Sequence, residues 1–156
     1  MVYLNIKEFK NIKVKTISEL KKYKNEKSAL IAPHPYFPTS YALNSKLEEY
    51  IDIFDAIEYT HFYFKRINFN KKAQEKAKEY NLPLIGVSDA HSLRQIGTTY
   101  SLIEAEKNPE AVIQAIKENK IEVVTEPLKI ITPFNLFLSL KHLSSLIFPH
   151  KNRIRS

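Results

Sequence analysis

The 156-residue sequence has no cysteine and only two glycines. Without cysteine the chain can form no disulfide and offers no thiolate to a metal ion, so any bound metal must be held by histidine and carboxylate side chains. The two glycines, Gly86 and Gly97, are not part of a glycine-rich run. A phosphate-binding loop of the P-loop or Rossmann kind is therefore excluded.

Long apolar runs are also missing. The first residues lack the apolar region of a signal peptide, and no uninterrupted apolar stretch approaches the length of a membrane span. We therefore expect a cytoplasmic protein with no membrane span. A chain of 156 residues is most simply one domain, long enough to bury a core without cross-links.

Negative charge is in short supply, and the formal net charge is +7. Much of the excess comes from eight lysines between Lys7 and Lys27, which are offset there by three glutamates. Nucleic-acid binding is one interpretation of such a basic stretch. A solvated lysine-rich face is favoured, because no arginine-rich or aromatic-interleaved pattern accompanies the charge.

Apolar patterning predicts alternating strands and helices. Runs of strand-forming residues predict strands over 2–7, 28–32, 54–59, 84–88, 98–103 and 121–125. Helical spacing and cap residues predict helices over 16–23, 44–50, 71–80 and 109–118, with Asn70 and Asn108 as caps of the last two. This alternation indicates an α/β protein with mostly parallel strands.

The composition changes near the C-terminus. Residues 128–156 are predicted to form an amphipathic helix, with apolar positions between Phe134 and Ile147, followed by a basic tail. Packing on the domain or on a partner is favoured over binding to a membrane surface, because Lys141 and His142 interrupt the apolar stretch.

Three loops that follow predicted strands carry histidine. They contain His34 between two prolines, His61, and the pair Asp89 and His91. Chemistry in parallel α/β folds collects at the C-terminal ends of strands. Asp89 and His91 share a side if the chain stays extended there, and carboxylate with imidazole suits Zn, Mn or Fe. An isolated Asp-x-His is more often a helix cap with a surface histidine, but the neighbouring His-Pro loop favours a metal site.

An ordered set of motifs resembles the C-terminal portion of the PHP (polymerase and histidinol phosphatase) family of metal-dependent phosphoesterases. The resemblance covers roughly residues 28–125 and is carried by Ala32-Pro33-His34-Pro35, Ala56-Ile57-Glu58-Tyr59, Asn70-Lys71-Lys72-Ala73, the stretch Asn81 to His91 with its Ser88-Asp89-Ala90-His91, and Ile96-Gly97.

The resemblance implies a fold, an activity and a site. Residues 1–127 would form the C-terminal part of a distorted, TIM-like β/α barrel. The activity would be hydrolysis of a phosphorylated small molecule or nucleotide by metal-activated water, using one or more divalent ions (Zn, Mn or Fe). The metal ligands would be His34, Asp89 and His91.

Apart from the resemblance, Arg94 is a candidate catalytic phosphate contact, because guanidinium pairs bidentately with phosphoryl oxygens, and a solvated surface arginine is the alternative. Glu58, His61 and Arg66 are further candidates to line the site. Glu58 and His61 match no ligand motif of the family, so hydrogen bonding near the site is an alternative to metal contact for them, and Arg66 is a second possible phosphate contact.

The chain departs from the family pattern before His34, where it has no histidine. The N-terminal His-x-His half, which carries most of the family's ligands, is expected to be missing. A half barrel exposes a sheet edge. We expect that edge to be covered by a second copy in a homo-oligomer, by a separate N-terminal PHP half, or by a rearranged strand order. The alternative function is a non-catalytic structural or interaction module derived from a PHP domain, with nucleic-acid binding ranked last.

Overall fold

The computed structural model describes the backbone of residues 2–4 and the backbone and side chains of residues 14–90, 93 and 96–128. The predicted C-terminal helix and basic tail lie outside the described residues from residue 129 onward, and so do two predicted site residues, His91 and Arg94. No helix in the described part of the chain is long and apolar enough to cross a bilayer.

The described residues form strands and helices close to the predicted positions. The strands are β1 (Val2–Leu4), β2 (Ala29–Ala32), β3 (Ala56–Thr60), β4 (Leu84–Val87), β5 (Thr99–Ile103) and β6 (Ile121–Thr125). The α-helices are α1 (Ser45–Glu49), α2 (Lys71–Glu79) and α3 (Pro109–Lys117), and shorter 3₁₀ helices span Ser18–Tyr23 and Ile51–Ile53. The helix predicted over 16–23 is therefore a 3₁₀ helix.

The strands form two open sheets within the described residues. The larger has the order β1-β2-β3-β4, in which β2, β3 and β4 are parallel and β1 is antiparallel to β2. The smaller pairs β5 and β6 antiparallel. The α/β class is confirmed, and parallel pairing holds for the central three strands. The described residues contain no closed barrel.

The direction of the remaining strands differs from the expected parallel pairing for a physical reason. A helix between two strands gives parallel pairing when it returns the chain to the starting edge of the sheet. Helix α3 instead packs Ile116 against Ile31 of β2 and Ala56 of β3, and β6 then runs back antiparallel along β5. Strand β1 lies along β2 and covers the edge that the sequence predicts to be exposed.

Apolar side chains cover both faces of the parallel strands. Because alternate strand residues point to opposite faces, Leu30 and Ile57 pack on one side with α1, α2 and the 3₁₀ segments. Ile31 and Ile85 pack on the other side with Ile116 of α3. Strands buried on both faces are typically continuous apolar runs, and β2 has this form. Strand β3 is equally buried but includes the polar residues Glu58 and Thr60.

The second sheet docks on β4 through a serine hydroxyl. The Gly86 N–H donates to Ser101 Oγ at 2.8 Å, and the same hydroxyl donates to the Gly86 carbonyl at 3.0 Å. One side chain thus replaces the backbone partners that a further strand would provide. A methyl group at Gly86 would lie 2.8 Å from both Tyr100 O and Val123 Cγ1, so the close approach requires glycine.

The two predicted asparagine caps behave differently. Asn108 has an extended backbone and its side chain accepts from the Ala111 N–H at 2.8 Å, which confirms it as the cap of α3. Asn70 already has helical backbone angles, and its side chain makes no cap bond, because that bond requires a non-helical residue. It is buried and instead bonds both backbone groups of Thr60, at 3.0 and 2.9 Å. Asn70 therefore fixes the end of β3.

We predict that Ser101→Ala lowers the free energy of unfolding by about 1–3 kcal/mol, because the backbone N–H and C=O of buried Gly86 both lose their partner. Denaturant unfolding followed by circular dichroism measures this loss. Ser40→Ala, at an exposed loop position, is the matched control and is expected to stay within about 0.5 kcal/mol of wild type. Equal midpoints for the two variants would contradict the bridging role.

Candidate metal centre

The parallel strands bring three predicted site loops to one edge of the sheet. His34 lies two residues beyond β2, His61 directly follows β3, and Asp89 lies two residues beyond β4. The ends of β3 and β4 are level, since Thr60 pairs with Val87, whereas the last residue of β2, Ala32, pairs with Ile57, three residues before the end of β3. The described members of the set therefore follow three neighbouring parallel strands on the same side of the sheet.

Backbone strain is found at two of the predicted ligands. His34 has φ 25° and Asp89 has φ 41°. The other non-glycine residues of the described chain with positive φ are three asparagines, and Asn, Asp and His are the residue types enriched in this region. Strained backbone conformations persist where the surroundings hold them in place, and they cluster at functional sites. The two prolines that flank His34 restrict its loop further.

Glu58 connects these two loops from the strand between them. Its side chain lies in β3 with 3% of its surface exposed, and its carboxylate accepts a hydrogen bond from the backbone N–H of His34. Burial, and after it the negative charge of Asp89, raise the pKa of Glu58 from 4.5 to about 7. The structure therefore brings Glu58 together with both His34 and Asp89.

Donor atoms suited to a divalent metal lie buried at this edge. Nδ1 of His34 and Oε1 of Glu58 have no hydrogen-bond partner among the described residues. Imidazole nitrogen and carboxylate oxygen fit Zn, Mn or Fe. Within residues 14–90, 93 and 96–128, however, no group of three or more His, Cys, Asp or Glu side chains forms a metal-holding cluster. The types of donor atom therefore suit a divalent metal, but the described residues alone do not form a complete set of ligands.

The remaining predicted site residues have different surroundings. His61 is buried, with its ring edge-on to Phe62 at 6.0 Å between centroids. Arg66 is exposed in the loop that follows β3. Glu58 in the middle of β3 and His61 directly after it are thus buried, whereas Arg66 lies at the surface.

An aromatic cluster joins the loops after β2 and β3. The ring of Phe37 packs edge-on against Phe62 and Phe69, each at 5.5 Å between centroids, and against His34 at 5.8 Å. The residues from Pro35 to Tyr41 are rich in aromatics and proline, a signal that could have marked Phe37 as a support for His34. The support that Asn70 gives to Thr60 has no comparable signal, because the pattern before α2 indicates an ordinary cap.

Comparison with known families supports the resemblance drawn from the motifs. A family model described as PHP-associated matches residues 68–121. Over these residues the match supports the resemblance to a C-terminal portion of PHP type. The matched range includes Asp89 and His91 and begins after His34, Glu58 and His61. A search of curated proteins finds no match.

We predict that the metal-free wild type loses stability, relative to Glu58→Gln, as the pH rises from about 4 to about 8. The pKa of Glu58 is 4.5 when exposed and about 7 in the folded chain. Between these values the folded state keeps a proton that the unfolded state releases, so stability falls as pH rises. The difference between the two pKa values corresponds to a change in the free energy of unfolding on the order of 3 kcal/mol.

Denaturant unfolding in the presence of a chelator, repeated across this pH range, gives the two stability curves. Glu75→Gln, which alters an exposed glutamate of α2, is the control and should follow the wild-type curve. Parallel curves for wild type and Glu58→Gln would show that the buried carboxylate carries no such penalty.

Proposed function

We propose that this chain supplies part of a PHP-type, metal-dependent phosphoesterase site. The observation that carries the proposal is the meeting of His34 and Asp89 at the buried carboxylate of Glu58, at the carboxyl ends of three neighbouring parallel strands. Such strand ends are where α/β folds place their chemistry. The PHP-associated match over residues 68–121 supports the same assignment.

The proposed metal ligands are His34, Asp89 and His91, and the metal is Zn, Mn or Fe. The free Nδ1 of His34 and the sequence position of Asp89 and His91 support this set. When bound, a divalent metal activates water and stabilises the charge that develops on phosphoryl oxygens. A complete hydrolytic cluster needs donors in addition to these three, and we propose that a second copy of the chain or a separate N-terminal PHP half provides them.

The chain's own residues would bind and orient the substrate. Arginine pairs bidentately with phosphoryl oxygens, so Arg94 is proposed to bind the phosphate of a phosphorylated small molecule or nucleotide. Arg66 is exposed in the loop after β3 and is proposed as a second contact. Glu58 and the two flanking prolines hold the His34 loop in its strained conformation.

A second candidate function is a non-catalytic association module. It is favoured by the outward side of the second sheet, where Tyr100 and Leu102 of β5 are 42% and 51% exposed. Large apolar side chains that are exposed together mark interaction surfaces. The PHP-associated description of the matched segment is also compatible with a supporting role.

We predict that Asp89→Ala lowers the bound metal by at least about tenfold, since a ligand is lost from a site with few donors. Metal content is measured by elemental analysis after purification and loading with Mn or Zn. Hydrolysis of a generic phosphoester in the presence of Mn is measured in parallel and is expected to fall in the same variant.

The control is Asp52→Ala, which removes an exposed carboxylate paired with Lys21 on the surface. It should keep the wild-type metal content. Equal and negligible metal in wild type and Asp89→Ala would remove the metal site. Normal metal binding without hydrolysis, together with stable capture of a partner, would favour the association module.

A further inference from the structure

We propose that Glu58 is an additional ligand of the metal, donating one carboxylate oxygen to it while the other oxygen holds the backbone of His34. The inference rests on the proposed function, because it requires a metal at this edge of the sheet. Neither the matched family segment, which begins at residue 68, nor the PHP motif pattern assigns a ligand at this position.

The two oxygens of Glu58 have different surroundings. Oε1 is buried and has no hydrogen-bond partner within the described part of the chain. The bond from the His34 N–H therefore goes to the other oxygen, Oε2. Buried polar atoms are satisfied in the great majority of cases, and an unsatisfied one requires an explanation such as an ion that is not present. A metal ion at Oε1 provides this explanation.

The carboxylate of Glu58 also has no ion-pair partner among the described residues. Its side chain is 3% exposed, and among the ion pairs of the described residues none involves Glu58. Within the described residues Asp89 is a charged neighbour, a second carboxylate whose charge raises the pKa of Glu58. Burying a carboxylate without a counter-charge is expensive, and buried charges are normally paired or coordinate metals. A divalent cation between the two carboxylates would convert their repulsion into attraction.

The position of Glu58 in the sheet fits this role. β3 is the middle of the three parallel strands, and Glu58 pairs in register with Ile85 of β4. Alternation places it on the same face as Ala56, which packs in the apolar cluster with Ile85 and Ile116. The apolar cluster thus lies toward the amino end of the strand, and the loops of His34 and Asp89 lie toward its carboxyl end.

A purely structural role would not require the charge. Glutamine is almost the same size and can accept the same hydrogen bond from the His34 N–H through its amide oxygen. If holding the His34 loop were the whole purpose, glutamine would serve without the cost of a buried negative charge. The Glu58→Gln variant therefore distinguishes a role as metal ligand from a role in holding the His34 loop.

The test measures Mn binding by calorimetry, and thermal unfolding with and without Mn, for wild type, Glu58→Gln, Glu75→Gln and Asp89→Ala. For Glu58→Gln we expect at least a tenfold weaker Kd for Mn, a metal-free melting temperature equal to or above that of wild type, and loss of most of the stabilisation by Mn. Glu75→Gln, at an exposed site of α2, should match wild type.

Other outcomes overturn the inference. If Glu58→Gln binds Mn like wild type while Asp89→Ala does not, Glu58 is no ligand and the proposed function stands. If Glu58→Gln lowers the metal-free melting temperature and leaves the stabilisation by Mn unchanged, the role is structural. If wild type binds no Mn, both proposals fall. Should Glu58→Gln not fold, Glu58→Asp decides: it is expected to bind Mn severalfold more weakly than wild type, and an unchanged Kd would overturn the inference.

Discussion

The parallel alignment of β2, β3 and β4 is the constraint on which the candidate site depends. Because the three strands run in one direction, the loops that follow them open at the same edge, and residues far apart in sequence become neighbours there. An antiparallel β3 would place Glu58 in a strand whose carboxyl end points away from His34. The alignment is maintained by apolar clusters on both faces of the sheet, so the packing that stabilises the fold also sets the geometry of the site.

The closely packed apolar residues and the candidate site lie at different positions along these strands. Toward their amino ends the side chains are apolar and closely packed, as with Ile31 and Ala56 against α3. Toward their carboxyl ends lie a buried carboxylate, a second carboxylate that repels it, and positive φ angles at His34 and Asp89. Each of these features costs free energy, and a well-packed base is needed to hold them in place. A ligand that relieves them would bind to an arrangement already prepared for it.

The sequence predicts most of the elements because the signals are local. The Asn108-Pro109 start of α3 and the apolar run of β6 appear as expected, since caps and periodicity act over a few residues. Strand direction is different, because it depends on distant partners, and the antiparallel pairing of β1 and of β6 was not predicted. The strand-end positions of His34 and Asp89 could be inferred in the same local way. The contact between Glu58 and His34 could not, because it results from the register of β2 on β3.

The serine that bridges β4 and β5 has a consequence for assembly. By occupying both backbone groups of Gly86, the Ser101 hydroxyl leaves this part of the β4 edge no free donor or acceptor with which to template a foreign strand. A chain added by β-augmentation would have to displace Ser101 or attach elsewhere. At this position the Ser101 hydroxyl therefore blocks the addition of a further strand to the edge of β4.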